Sequence, residues 1–391
     1  MEVFLLKFKG INTKAIHTGE HDYNLLDSVA FPIFQTSNFR MGDEKYSHLN
    51  DRETFFYTRI NNPTTRVAEK KIADICSGID SVLFSSGMAA ISAVFNGFLT
   101  EDDEVIMLKE MYGGTYKFMK NKFEKLGVKA VLISIDDLGN LENYITQRTK
   151  MIYVETLTNP LIKLVDIEMI SNTIEKHDLI FVVDNTFMSP YNFRPLEFGA
   201  DIVIHSTTKY IGGHSDLIGG VVVSKKQEII EKVLEERSIV GSNPSPFDSF
   251  LTIRSLKTMG LRVERHNQNA KILAEFLNKN SKVKRVNYPT LYENIPSCFK
   301  NCPGFGGVIY IELDSFKKAI EFMRKLKIFT EAPSLAGVES LITSPILTTH
   351  AGLSDEELEK AGISKGSLRI SVGIENIEDL IEDVEQALEH I

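Results

Sequence analysis

Between about residues 62 and 225, short apolar runs alternate with longer amphipathic ones. Val105 to Leu108, Ala130 to Ile133, Met151 to Val154, Ile180 to Val183, Ile202 to Ile204 and Val221 to Val223 are brief, rich in β-branched residues and continuous. Continuous rather than alternating runs predict strands of a parallel sheet covered on both faces. Between them, Val67 to Ile75, Met88 to Leu99, Tyr116 to Leu126 and Ile167 to His177 read as helices. The first fifty or so residues have weak periodicity and polar breaks such as Gly42-Asp43-Glu44-Lys45, which predicts an arm or extended segment.

Beyond residue 225 the pattern changes. Lys226 to Ser238, Leu261 to Asn278 and Ser315 to Leu326 read as helices, and Val308 to Leu313 and Leu368 to Val372 as strands. Ile377, Leu380, Ile381, Val384, Leu388 and Ile391 trace a final amphipathic helix, with Asn376 at its N-cap. Asn243-Pro244-Ser245-Pro246 is the clearest boundary mark. The reading is an α/β protein with an arm over 1–58, a large domain with a mostly parallel sheet over 59–245, and a smaller α+β domain over 246–391.

Composition narrows the function classes. A chain of 391 residues exceeds the size at which one core stops growing. The net charge of −9 argues against a nucleic-acid binder, which needs a basic face. No apolar run approaches the length of a membrane span, and the amino-terminal apolar stretch is too short for a signal peptide. Three cysteines, an odd and low number, suit a reducing cytoplasm. Cys298 and Cys302 have a loose metal-ligand spacing, but no His or second Cys pair completes a site, so no metal is expected.

Two strand ends carry the chemistry. The run ending in Asp184 delivers a carboxylate where open α/β sheets bind ligands. The next run ends in His205-Ser206-Thr207-Thr208-Lys209, with Gly212-Gly213 following. A lysine amine that forms an imine with an aldehyde, beside a carboxylate that keeps a pyridine nitrogen protonated, is what pyridoxal phosphate chemistry needs. Ser206 and Thr208 would offer hydroxyls to the phosphate. Ser85-Ser86-Gly87-Met88 opens a helix, whose free N–H groups form a phosphate site in that context and an ordinary Ser86 cap outside it.

Two further residues each have two readings. Tyr112, before Gly113-Gly114, either stacks on a flat ring or half-buries in a turn. Arg369, inside an apolar strand, either faces inward to hold a substrate carboxylate or faces solvent. No dinucleotide or P-loop fingerprint is present.

These residues resemble the Cys/Met-metabolism pyridoxal phosphate enzymes, the γ-family of transsulfuration. The likeness runs from about Thr13 to the carboxy terminus. It is carried by Asp184-Asn185-Thr186-Phe187 with His205 to Tyr210, by Tyr57 to Thr64, and by Glu155-Thr156-Leu157-Thr158-Asn159-Pro160. It implies the type I, aspartate aminotransferase-like fold and a homotetramer built as a dimer of dimers.

The resemblance also implies roles. Lys209 holds the cofactor and shuttles protons, with Tyr112 stacking and assisting. Asp184 pairs with the ring nitrogen and Asn159 with the ring 3′-oxygen. Ser86, Gly87, Met88, Ser206 and Thr208 cradle the phosphate, which Tyr57 and Arg59 reach from the neighbouring subunit. Arg369, with Ser334 beside it and Asn159 and Tyr57 nearby, takes the substrate α-carboxylate, and Lys117 the distal one.

The implied reaction is γ-replacement or γ-elimination on O-acylhomoserine or cystathionine, with cysteine as a further amino-acid substrate, as in cystathionine γ-synthase or γ-lyase. Methionine γ-lyase, cystathionine β-lyase and O-acetylhomoserine sulfhydrylase are the alternatives. Gly114 stands where methionine γ-lyases typically place cysteine. Ser334 to Leu341 resembles the synthase and γ-lyase loop, and Thr349-His350-Ala351-Gly352 and Gly362-Ile363-Ser364 look most like cystathionine γ-synthase, whereas Pro333 stands where the synthases and γ-lyases usually have glutamate.

Overall fold

The computed structural model describes residues 8–391 except 25, 50, 349, 350, 352–355, 357 and 359–361. Residues 1–7, and Thr349, His350 and Gly352 of the motif above, lie outside the described residues.

The large sheet is built from β1 (Asp80–Phe84), β2 (Glu104–Leu108), β3 (Lys129–Ile133), β4 (Thr149–Glu155), β5 (Ile180–Asp184), β6 (Ile202–His205) and β7 (Gly220–Ser224). Their order is β1-β7-β6-β5-β4-β2-β3, and only β7 runs against the rest. The pleat explains the continuous apolar runs. Val105 and Met107 join one core cluster, and Ile106 and Leu108 the other. Successive side chains point to opposite faces, and both faces are covered.

The helices of this half are α1 (Ile11–His17), α2 (Asp43–Tyr46), α3 (Pro63–Ile75), α4 (Gly87–Phe98), α5 (Gly113–Phe118), α6 (Ile167–Ile174), α7 (Ser189–Asn192) and α8 (Gln227–Val240). Then come α9 (Pro246–Leu256) and α10 (Met259–Lys279). The second sheet has β8 (Val283–Asn287), β9 (Val308–Leu313), β10 (Thr330–Glu331), β11 (Leu341–Thr343) and β12 (Ser367–Ser371), in the order β10-β11-β12-β9-β8. Helix α11 (Phe316–Lys325) and the last helix, Ile377–Glu389, pack together beside it. Helix α10 joins the two halves: it packs on β8, α7, α1 and the last helix. The larger core cluster runs without a break from Val203 and Val221 through Val263 and Leu273 to Ile309 and Ile370.

Several elements add to or differ from expectation. The amino-terminal segment contains α1, which buries Ala15 and packs on α3. Strand β1 begins with Asp80 and Ser81, and β8 carries Lys284 and Arg285 at a sheet edge; polar residues hid both from an apolar scan. The proline-rich boundary mark opens α9, with Ser245 capping the N–H of Asp248 and Pro246 in the first turn. The helix expected over 116–126 starts earlier, at Gly113, and changes winding to a π turn over Met119–Phe123 and a 3-10 turn over Glu124–Leu126. Asn376 sits at the expected cap position but makes no side-chain cap bond.

A buried ionic network fastens the loop carrying Tyr57 and Arg59. Glu69, fully buried on α3, accepts from Arg52 Nη2 at 2.7 Å, Arg237 Nη1 at 2.7 Å and the Leu83 N–H at 3.0 Å. Arg237 also donates to the Ile60 carbonyl at 2.8 Å, and Arg52 bonds Asp80. One carboxylate thus ties both ends of the loop to the sheet. Glu69→Ala leaves two sequestered guanidiniums undercompensated and should lower unfolding free energy by about 3 kcal/mol or more in urea titration. Glu53→Ala, at a half-exposed pair, should cost about 1 kcal/mol or less. Equal losses at the two positions would contradict this account.

Candidate active site

Strand β6 ends at His205, and the turn after it presents Ser206, Thr208 and Lys209. Lys209 Nζ donates to Ser334 Oγ at 2.6 Å. Its pKa is lowered to about 8, by burial first and then by the positive charge of Arg369. Asp184 closes the adjacent strand β5. Its Oδ1 accepts the Thr186 N–H at 2.9 Å and its Oδ2 the Tyr153 hydroxyl at 3.3 Å. Burial raises its pKa, and the Thr186 and Tyr153 bonds oppose the rise.

The N-terminus of α4 faces the same turn. Ser86 caps it by accepting the Ala89 N–H at 3.1 Å. The N–H groups of Gly87 and Met88 have no protein partner among the described residues. A Cβ on Gly87 would sit 3.0 Å from Ser206 Cβ, and one on Gly220 would strike the Ser86 carbonyl at 2.2 Å. Small residues therefore let helix and strand end close into a cup. Thr208 Oγ1 accepts the Gly219 N–H at 3.0 Å, and Ser206 Oγ reaches the Gly219 carbonyl only at 3.4 Å.

Arg369 resolves inward. It is only 5% exposed, and its strand pairs it with Tyr310 and Thr343 in mid-sheet. Its guanidinium donates to Asn159 Oδ1 at 3.3 Å and to the Ser334 carbonyl at 3.1 Å. It has no acidic partner among the described residues, and burial lowers its pKa to about 10. A buried guanidinium without a carboxylate is a receptor for an anion. Ser334 holds a φ of 95°, a conformation that L residues adopt only when their surroundings impose it.

Tyr112 opens α5 and leaves its ring 42% exposed. A Cβ on Gly114 would meet that ring at 2.4 Å, so the glycine is what lets the tyrosine fold back along the helix. Lys117, on the same helix, is exposed and unpaired among the described residues. Tyr57 and Arg59 do not join the Lys209 group within this chain. They stack on one another at 5.4 Å, Arg59 bonds the Ser238 carbonyl, and both line a surface hollow with Gln35 and Pro246.

Sequence reasoning passed over Glu155. It ends an apolar strand as Asp184 does, directly beside it in register, so the signal that singled out Asp184 was present there too.

An amine, a carboxylate, a cup of free N–H and hydroxyl groups, and an anion receptor match the aldehyde, ring nitrogen, phosphate and substrate carboxylate of pyridoxal phosphate chemistry. The family model for Cys/Met metabolism PLP-dependent enzymes matches residues 12–389. The chain belongs to that family.

A cystathionine beta-lyase of Lactococcus lactis subsp. cremoris is 40% identical over 97% of this chain and 99% of its own length. A cystathionine gamma-lyase of Bacillus subtilis is 40% identical, again covering 97% and 99%. A crystal structure of metB from Corynebacterium glutamicum superposes with a TM-score of 0.89 at 38% identity, covering 98% of each chain. The fold is therefore the type I fold expected, the cofactor is pyridoxal phosphate, and the enzyme is a lyase-type member of Cys/Met metabolism. No helix among the described residues is long and apolar enough to cross a membrane, and no His, Cys, Asp and Glu among them cluster as metal ligands.

Two outcomes test this geometry. In cofactor-free protein, covalent capture of the aldehyde needs the neutral Lys209 amine, so its rate should rise with pH and level off above about 8. A rise continuing to pH 10 would mean an unperturbed lysine. Gly114→Ala should push the Tyr112 ring aside and weaken cofactor affinity about fivefold, the equivalent of ~1 kcal/mol of stacking. Absorbance titration measures it, and unchanged affinity would remove Tyr112 from the ring face.

Proposed function

We propose that the enzyme breaks or forms cystathionine at its γ-carbon, with Lys209 as the proton carrier. The observation that carries this reading is the Lys209–Ser334–Arg369 chain: a base of depressed pKa two contacts from an unpaired guanidinium. Arg369, braced by Asn159, binds the α-carboxylate and sets the Cα proton toward Lys209. The neutral amine removes that proton, and Ser334 holds the amine in place. Bound pyridoxal phosphate supplies the electron sink. Asp184 faces the ring nitrogen; Gly87, Met88, Ser206 and Thr208 hold the phosphate. Tyr57 and Arg59, turned outward here, complete the cup of a neighbouring subunit in a homotetramer.

Lys117 supplies the second charge. Its free ammonium on α5 suits the distal carboxylate of cystathionine and gives methionine nothing to pair with. In the synthetic direction, in methionine biosynthesis, the same groups would serve γ-replacement: the cysteine thiol forms the Cγ–S bond as the acyloxy group of an O-acylhomoserine leaves Cγ as a carboxylate. A β-elimination is the second reading. It is favoured by Pro333, which puts no carboxylate beside Ser334, and by the β-lyase relative.

A substrate panel decides among them. Cystathionine alone should give cysteine and 2-oxobutanoate; homocysteine and pyruvate would instead establish the β-lyase. Cystathionine formed from O-succinyl- or O-acetylhomoserine with cysteine would establish the synthase. Lys117→Ala should raise KM for cystathionine about tenfold while leaving KM for methionine nearly unchanged. Equal changes for both would remove the distal-carboxylate role.

A further inference from the structure

Two carboxylates, not one, stand at the strand ends beneath the cofactor site. Glu155 ends β4 and Asp184 ends β5, and the two are register partners in a parallel pair. Glu155 is 5% exposed, and neither group has a cationic partner among the described residues. No protein cation among the described residues offsets these two sequestered like charges, and a cofactor ring nitrogen facing Asp184 would compensate only that one, so the pair keeps one proton.

The donors around the pair show which group keeps it. Asp184 receives the Thr186 N–H and the Tyr153 hydroxyl, and Thr186 further stabilises its charged form. Among the described residues Glu155 receives a single donor, the Tyr112 N–H, at 2.5 Å on Oε1. The titratable neighbours are Tyr153 from β4 itself, Asp184 from β5 and Tyr112 from the entry of α5. At the end of β2, Glu110 turns away to Ser134 and Ile135. Burial and the Asp184 charge both raise the pKa of Glu155 well above the ordinary carboxyl range, and only the Tyr112 bond opposes them.

We propose that Glu155 is a positioning residue of the cofactor site: as a neutral acid it anchors the backbone of Tyr112, and it leaves the single negative charge of the pair on Asp184. The Tyr112 N–H is a group that the start of a helix leaves without an internal partner. Satisfying it with a buried side chain fixes the angle at which α5 begins and, through it, the ring of Tyr112. Holding the proton on Glu155 keeps Asp184 ionised toward the ring nitrogen without a second charge to repel. The inference rests on the pyridoxal phosphate reading of this site and is indifferent to which substrate is cleaved.

The test compares holoenzyme carrying Glu155→Gln, Glu155→Asp and Glu155→Ala. Visible absorbance and circular dichroism of the bound cofactor are followed against pH, with kcat and KM alongside. Gln keeps the acceptor and the neutrality. It should retain the wild-type dichroism and titration midpoint, with kcat within about threefold. Asp withdraws the acceptor by one methylene, and Ala removes it. Both should change the cofactor dichroism and lower kcat by up to about 10²-fold, the effect of a misplaced catalytic group, with little change in KM.

If Glu155→Gln is as damaged as Glu155→Ala, the group works as an anion and the proposal fails. If Glu155→Ala matches wild type, the group positions nothing and the proposal also fails. Should Glu155→Ala not fold, Gln against Asp decides alone. Loss of all substrate turnover in the unmutated enzyme would overturn the proposed reaction yet leave these spectral comparisons readable.

Discussion

Everything at this site depends on one electrostatic arrangement: two basic groups buried within reach of a single serine. Lys209 donates to the Ser334 hydroxyl, and Arg369 to the Ser334 carbonyl. Burial does most to make the lysine a usable base, and the arginine, which cannot give up its proton at ordinary pH, adds like-charge repulsion that falls on the lysine. Neither group would tolerate a resident carboxylate partner, because neutralising the arginine would restore the lysine and occupy the place of the substrate. The strained backbone of Ser334 is the mechanical side of the same arrangement.

Much of this was legible in the chain. The continuous strands at 105–108, 151–154, 180–183 and 202–204 announced a sheet covered on both sides, and the carboxyl ends of two of them announced the chemistry. Resemblance then located Asn159 and Ser334, which no periodicity would have found, because their partner Arg369 lies far away in sequence. Strand β1 escaped notice because its first two residues, Asp80 and Ser81, are polar although buried, and β8 because Lys284 and Arg285 face solvent at the sheet edge. Whether Arg369 faced inward was undecidable from alternation. In β12 all five residues are buried, so inward and outward lose their meaning.

The acidic balance of the chain and its anionic ligands are compatible because the positive potential is local. Lys209 and Arg369 meet at Ser334, and the open end of α4 faces the turn that carries Lys209. Backbone closeness matters as much as charge there. Gly220 brings β7 nearer to the start of α4 than any side chain would allow, and Gly87 and Gly219 keep the turn around Ser206 and Thr207 close.

The unbroken core that runs along α10 has a thermodynamic meaning of its own. With Val263 and Leu273 shared between the sheets, loosening the smaller sheet would expose apolar surface belonging to the larger one. Loosening the smaller sheet therefore forfeits burial in the larger one, which couples the stability of the two halves. The lysine and the arginine, drawn from different sheets, are thereby tied to one core.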